Sequence, residues 1–100
     1  MALKILWTPQ AEKGLDKVLT YLEEEWTSRE ILTLEKNLQT LLERIGKYPK
    51  ICPATSKYVN VRKGLVDKNN YIIYRIRPRK KTIEIINFRG NRQSPLAETV

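Results

Sequence analysis

The spacing of apolar residues changes near the middle of this chain, and that change limits the folds open to it. Up to about residue 45, apolar side chains recur at intervals of three or four residues, which is typical of helices with one buried face. From residue 58 onward they alternate with polar ones, in runs rich in valine, isoleucine and tyrosine, which is typical of half-buried strands. The pattern predicts an α+β fold in one domain, residues 1–100, since a chain of this length forms one small core.

Cap and turn signals divide the chain into elements. Thr8 and Pro9 provide a hydroxyl N-cap and a proline at the first helical position, and Thr27 and Glu30 have the spacing of a capping box. Gly46 marks the end of the second apolar stripe. We therefore expect a two-helix antiparallel hairpin packed on one face of a small, mainly antiparallel four-stranded sheet. The predicted elements are a strand over 3–8, a helix over about 10–25, a helix from Thr27 to Gly46, and strands over 58–62, 71–77 and 82–88.

Alternation along the last three strands predicts which side chains the helices leave uncovered. Val59 and Val61 are assigned to the same face as Ile72, Tyr74 and Ile76, and this face suits burial. The opposite face carries tyrosines and arginines, which can stack on bases and contact phosphates. The alternative is that the tyrosines only cover the edges of the sheet. The predicted target-binding residues are Tyr58, Asn60, Arg62, Tyr71, Arg75, Arg77, Arg89 and Arg92.

The net charge of +8 lies entirely in the second half of the chain. Residues 1–50 hold eight basic and eight acidic side chains, whereas residues 51–100 hold eleven basic and three acidic ones. A clustered positive field attracts polyanions and acidic proteins, so we expect a partner of one of these kinds. The alternative is that the charge serves solubility alone.

Several kinds of site are excluded by residue usage. Cys52 is the single cysteine and there is no histidine, which rules out an intrachain disulfide and the usual zinc ligand sets, so neither a metal nor a cofactor is predicted. Cys52 has no candidate base nearby in sequence, which favours a structural or incidental role over a reactive one. No apolar run approaches the roughly 20 residues of a membrane helix, and the N-terminal apolar run is too short for a secretory signal, so we expect a cytoplasmic protein without membrane contact.

The arginines are suited to one kind of catalysis without a metal. Cationic side chains can neutralise a scissile phosphate of RNA while the RNA's own 2′-hydroxyl acts as nucleophile. The proton carrier would have to be Tyr58 or Tyr71 with a lowered pKa. Whether the chain is an enzyme therefore stays open. The candidate catalytic residues are Arg62, Arg75, Arg89, Arg92 and Tyr71.

Four stretches, in this order and spacing, resemble the RelE/ParE superfamily of toxins from type II toxin–antitoxin systems. They cover roughly residues 3–95 and read ILWTPQAEKGLDKVLTYLEEEW, LLERIGKYP, VRKGLVDKNNYIIYRI and IEIINFRGNRQSP. The resemblance implies a helical hairpin on an antiparallel sheet and a growth-inhibiting activity. It also implies a cognate antitoxin whose C-terminal segment covers the basic surface in a toxin–antitoxin hetero-oligomer.

The resemblance offers two mechanisms. ParE-like members bind DNA gyrase and trap it on broken DNA, whereas RelE-like members cut messenger RNA on the ribosome. The positions that match nuclease lysines are Tyr58 and Asn60, and Tyr71 stands where those nucleases have an arginine, while Arg89 and Arg92 match the arginine after the last strand. The ParE-like mechanism is therefore favoured, with mRNA cleavage as the alternative and a non-toxic nucleic-acid-binding module as a third.

Overall fold

The computed structural model describes residues 3–25, 28–55 and 60–90 of the chain. The order of elements is strand, two helices and three strands: β1 (Lys4–Trp7), α1 (Pro9–Glu25), α2 (Ser28–Lys47), β2 (Val61–Leu65), β3 (Asn70–Arg77) and β4 (Thr82–Gly90). Neither of these two helices is long and apolar enough to cross a membrane. The capping residue predicted at Thr27, the strand residues Tyr58 and Val59, and Arg92 lie outside the described residues.

The N-cap predicted at Thr8 is confirmed, and it also fastens α1 to the sheet. The Thr8 hydroxyl accepts a hydrogen bond from the Ala11 backbone N–H (3.2 Å) and donates one to the Ile85 carbonyl (2.8 Å). The Thr8 backbone N–H donates to the same carbonyl at 3.1 Å. One threonine therefore satisfies a free donor of the first helical turn and sets the position of α1 against β4.

The second helix does not end at Gly46 as predicted. α2 continues to Lys47, and none of the described glycines has a positive φ, so Gly46 is not a left-handed cap. Its carbonyl instead accepts a hydrogen bond from the Leu3 backbone N–H at 2.8 Å. The last turn of α2 is therefore held by the chain entering β1.

The sheet has the order β1-β4-β3-β2, with β1 parallel to β4 and the other pairs antiparallel. Both helices pack on one of its faces, and the α+β fold predicted from the sequence is confirmed. Within β3, every second residue is buried and the others are half-buried, as expected for a strand covered on one side. The core cluster includes Ala11, Val18 and Leu22 from α1, Leu34, Leu38 and Ile45 from α2, and Ile72, Tyr74, Ile76, Ile83, Ile85 and Phe88 from the sheet.

The predicted position and orientation of β2 are wrong. Within the described residues the strand runs from Val61 to Leu65 where 58–62 was predicted, and its register places Val61 opposite Arg75 and Arg62 opposite Tyr74. Directly paired residues point to the same face, so Arg62 lies on the helix side with Tyr74, and Val61 lies on the other side. Val61 is buried but is not part of the main core cluster. A shift of one residue in register is enough to reverse every side chain of a strand.

The close approach of α2 to β2 explains this register. A Cβ added to Gly64 would lie 3.2 Å from the Cys52 sulfur and 3.4 Å from a Leu41 methyl carbon, so no larger residue fits there without a shift. Val66, two residues further on, is buried in the core cluster. Arg62, Gly64 and Val66 thus form the helix side of this segment, and the glycine makes room for the loop that carries Cys52.

Candidate functional site

The face of the sheet that the helices leave uncovered is called the open face here. The register places on it the β3 residues that alternate with the core residues, together with their partners on β2 and β4. These side chains are half-buried or exposed, apart from Val61, which is buried. The charged, aromatic and exposed apolar residues of the open face include Lys63, Leu65, Tyr71, Arg75, Arg77, Glu84 and Arg89.

The open face has two ends that carry different side chains, and Lys63, opposite Ile73, lies between them. Tyr71 pairs with Arg89 at one end of β3, whereas Arg75 pairs with Glu84 near the other. Six residues separate Tyr71 from Arg77, which corresponds to roughly 20 Å along a strand. The two regions are called the Tyr71 end and the hairpin end.

The Tyr71 end combines an aromatic ring, two cations and an exposed apolar side chain. The Lys63 ammonium nitrogen lies 4.2 Å from the centre of the Tyr71 ring, within cation–π range. Leu65, directly opposite Tyr71 on β2, is 65% exposed. Arg89 lies opposite Tyr71 on β4, and no carboxylate of the described residues forms an ion pair with it. Arg92, the remaining predicted member, follows in sequence outside the described residues.

The hairpin end is lined mainly by cations. Arg75, Arg77, Arg79 and Lys80 border an open groove of about 480 Å³, which Asn60 also lines. Asn60 is exposed and adopts a left-handed backbone conformation (φ 67°) just before β2, so it is not a strand residue as predicted. It nonetheless lies beside Arg75 and Arg77, with which the sequence grouped it.

One ion pair holds the Arg77 side chain. Its Nε donates to a Glu84 carboxylate oxygen at 2.9 Å, and both side chains are about one-third exposed. Surface ion pairs of this kind contribute little to stability, about 0–1 kcal/mol. The ion pair instead limits the orientations of the Arg77 side chain and neutralises the Glu84 carboxylate.

Arg62 does not lie on the open face, contrary to the prediction. Its guanidinium donates hydrogen bonds to the carbonyl of Cys52 and, at 3.3 Å, to that of Lys50. The backbone beyond these residues pairs with the outer edge of β2, where the Lys63 N–H donates to the Pro53 carbonyl at 3.1 Å. Arg62 therefore anchors the loop after α2 to β2, and its role is structural.

Tyr74 anchors the same loop from the core. Its hydroxyl donates to the Pro49 carbonyl at 2.7 Å, and the side chain is fully buried. Burial raises the pKa of Tyr74, as does the neighbouring Cys52 thiol, against a smaller opposing effect of Arg62. The Tyr74 phenol stays protonated at neutral pH, so it cannot serve as a base. Cys52, a free and partly buried thiol, packs against the core in this corner.

The chemistry available on the open face is dominated by positive charge. Glu84 is ion-paired, and the other titratable side chains that the described residues place here include Tyr71 and Lys63. In the described ranges, no group of three or more histidine, cysteine or acidic side chains could hold a metal ion. The arrangement suits binding of a protein or a polyanion through arginine, lysine and tyrosine.

Sequence reasoning missed four residues of this surface. Lys63 and Leu65 were left out because β2 was ended at residue 62, and Arg79 and Lys80 were read only as a turn. Gly64 offered a signal for the first pair, because a glycine two positions after Arg62 is consistent with close packing on the core side. The run of cations from Arg79 to Lys81 was itself the signal for the second pair.

Comparison with known proteins gives a family match over most of the chain. The family model described as the ParE toxin of type II toxin–antitoxin systems matches residues 5–95. No curated protein sequence matches.

Several solved structures share the fold at low sequence identity. The RelBE2 toxin–antitoxin complex from Mycobacterium tuberculosis matches with a TM-score of 0.65 at 12% identity, covering 90% of this chain and 99% of that one. The isolated E. coli RelE toxin gives 0.65 at 15% identity, covering 96% and 92%. The chromosomal ParDE system from P. aeruginosa gives 0.62 at 17% identity, covering 89% and 96%. The fold implied by the four sequence stretches is confirmed.

Proposed function

This chain belongs to the family of ParE toxins of type II toxin–antitoxin systems, and from that premise we propose that it arrests growth by binding DNA gyrase through the Tyr71 end. The observation that carries the proposal is the family match, which extends over residues 5–95 and is to ParE toxins. ParE-like members of the superfamily act on gyrase without cutting RNA. The chain is accordingly treated as a binding protein and not as an enzyme.

The geometry of the Tyr71 end supports binding to a protein. Interfaces between proteins depend on a few aromatic, arginine and apolar anchors surrounded by polar groups. Tyr71, Arg89 and the exposed Leu65 are neighbours across three strands and provide these three kinds of side chain. Among residues 60–90, the lining of the hairpin end has no comparable exposed apolar anchor.

A second candidate is cleavage of messenger RNA on the ribosome. Toxins named RelE are among the solved structures that share this fold. On the open face, Tyr71 is the candidate proton carrier, and the Lys63 ammonium nitrogen lies 4.2 Å from the centre of its ring. The buried Tyr74 and the ion-paired Glu84 are poor alternatives for this role.

The partner proposed for the open face is a cognate antitoxin. Solved relatives of the fold include complexes of a toxin with its antitoxin, among them E. coli DinJ-YafQ. A basic face with few acidic residues attracts an acidic segment, and covering it would block the target-binding residues. The expected assembly is a toxin–antitoxin hetero-oligomer whose formation restores growth.

Two assays, one on an induced culture and one on the purified protein, separate the two candidate functions. The chain is induced without an antitoxin, transcripts are mapped by primer extension, and the purified protein is added to a gyrase supercoiling and DNA-cleavage assay. We expect growth arrest, inhibited supercoiling, trapped DNA cleavage and intact transcripts. Transcripts cut at codon positions with unaffected gyrase would show that mRNA cleavage is the activity, and normal growth despite soluble expression would contradict the toxin role.

Variants of the Tyr71 end test the site. Tyr71→Ala and Arg89→Ala should keep the unfolding midpoint and lose growth arrest, because both side chains lie on the uncovered face. Lys17→Ala removes an exposed charge from α1 and serves as the matched control that keeps toxicity. Arg92→Ala extends the test beyond the described residues, and we expect it to weaken toxicity for either target. A folded and fully toxic Arg92→Ala variant would remove this residue from the site.

A further inference from the structure

The hairpin end is a second basic surface that gyrase binding by the Tyr71 end leaves unexplained. Its groove of about 480 Å³ is bordered by Arg75, Arg77, Arg79 and Lys80, with the Asn60 amide at its side. Arg79 and Lys80 are exposed, and the Glu84 ion pair leaves the other cations without a carboxylate partner among the described residues. The surface thus carries a concentrated positive charge that begins about 14 Å along β3 from Tyr71, at Arg75.

The cations project from a turn of defined geometry. The Lys81 N–H donates to the Pro78 carbonyl at 3.2 Å and closes the turn between β3 and β4. The Lys81 carbonyl in turn accepts a hydrogen bond from the Lys4 N–H of β1, also at 3.2 Å. Because three strands hold this turn, less conformational entropy is lost when its side chains bind a ligand.

The lining of the groove favours a nucleic acid over an acidic protein. Its apolar members are Pro78 and Ile76, and Ile76 is 95% buried in the core and unavailable as an anchor. Interfaces between proteins normally have an apolar or aromatic centre, whereas contacts to a nucleic-acid backbone are made by cationic and amide side chains.

The described lining of the groove favours a duplex over a single strand. Proteins that bind single-stranded nucleic acids stack the bases on aromatic rings, and none of the lining residues within 60–90 is aromatic. Tyr71 is too far along β3 to supply the ring. A duplex presents only its phosphates to a surface of this kind, which needs cations and no stacking platform.

We propose that the hairpin end binds the phosphate backbone of duplex DNA, independently of the growth-inhibiting target. The contact is made by Arg79 and Lys80 at the tip and by Arg75 and Arg77 along the groove. It reads charge and shape and not base sequence. Its affinity therefore depends steeply on salt.

The test uses purified full-length protein and a fluorescently labelled duplex of mixed sequence, with anisotropy measured over a series of salt concentrations. We expect wild-type affinity to fall with salt with a log–log slope of about −3 or steeper, since each phosphate contact contributes about −0.9. The double variant Arg79→Ala/Lys80→Ala should bind about tenfold more weakly and lose about two units of slope. The matched control is Lys13→Ala/Lys17→Ala, which removes the same charge from the exposed side of α1 and should bind within about twofold of wild type.

Several results would overturn the proposal. Equal losses in both double variants would show that net charge alone drives binding, and a wild-type slope shallower than about −1 would exclude several phosphate contacts. Tighter binding to a single-stranded RNA of the same length, or to a glutamate-rich peptide, would assign the groove to a different ligand. The outcome is separable from gyrase inhibition. If Arg79→Ala/Lys80→Ala loses duplex binding but inhibits supercoiling as the wild type does, the proposal is supported. If the wild-type protein binds duplex DNA but leaves gyrase unaffected, only the proposed growth-inhibiting target is contradicted.

Discussion

Replacing Arg62 by alanine should destabilise the fold and leave target binding intact in the molecules that remain folded. The sequence grouped Arg62 with the target-binding arginines, but its guanidinium donates to the carbonyls of Cys52 and Lys50 on the helix side of β2. The variant therefore separates a structural arginine from a functional one.

The magnitude follows from the contacts of that guanidinium. A hydrogen bond from a charged donor contributes about 1.5–3 kcal/mol, and removing the donor leaves the half-buried Cys52 carbonyl without this partner. The exposed 3.3 Å contact to Lys50 adds little. In the opposite direction, the buried Arg62 Nε has no hydrogen-bond partner in the described part of the chain. Removing it therefore recovers the free energy that burial of an unpaired donor costs, which offsets part of the loss. We expect a net loss of about 1–3 kcal/mol in the free energy of unfolding.

The assay is unfolding by urea and by heat, each monitored by tryptophan fluorescence and circular dichroism. A loss of this size lowers the melting temperature by roughly 4–8 °C per kcal/mol in a domain of this length. Arg62→Lys should be intermediate, because lysine keeps the charge but not the planar arrangement of donors. Arg75→Ala on the open face is the matched control, with an expected change below about 0.5 kcal/mol. An Arg62→Ala protein with wild-type stability and no toxicity would refute the structural role and return Arg62 to the target surface.

Three further predictions follow from the packing. Gly14→Ala should cost about 1–3 kcal/mol, because the added Cβ would overlap the Phe88 carbonyl oxygen, whereas the same change in an unhindered helix would gain about 1 kcal/mol; wild-type stability in urea would contradict this contact. Ile72→Ala, at a fully buried core position, should cost about 2–5 kcal/mol and reduce toxicity only in proportion to the unfolded fraction. Burial raises the pKa of Tyr74 above the value near 10 that it has in an unfolded chain. As the pH rises, the unfolded state therefore releases this proton first, and the free energy of unfolding falls above about pH 10 by up to about 1.4 kcal/mol per pH unit. Tyr74→Phe should lose that part of the alkaline slope in unfolding midpoints measured from about pH 9 to 11, and an unchanged slope would show that Tyr74 ionises normally when folded.

Local signals in the sequence were sufficient for the start of α1 and for the buried face of β3. Thr8 and Pro9 predicted the start of α1 because an N-cap is a contact within one helical turn. The alternation of Ile72, Tyr74 and Ile76 predicted the buried face of β3 because both neighbouring strands and the helices require it. The resemblance of four stretches to the RelE/ParE superfamily then predicted the family, which the match over residues 5–95 confirms.

The sequence by itself determined the element types, the fold class and the family, since these depend on periodicity and on motifs that are continuous along the chain. Only the tertiary structure decided which way β2 faces, because Val61 and Arg62 alternate equally well in either register. Packing of Gly64 against Cys52 and Leu41 selects the register that turns Arg62 away from the open face. The division of that face into two ends likewise depends on pairing between distant strands, which places Tyr71 opposite Arg89 and Arg75 opposite Glu84.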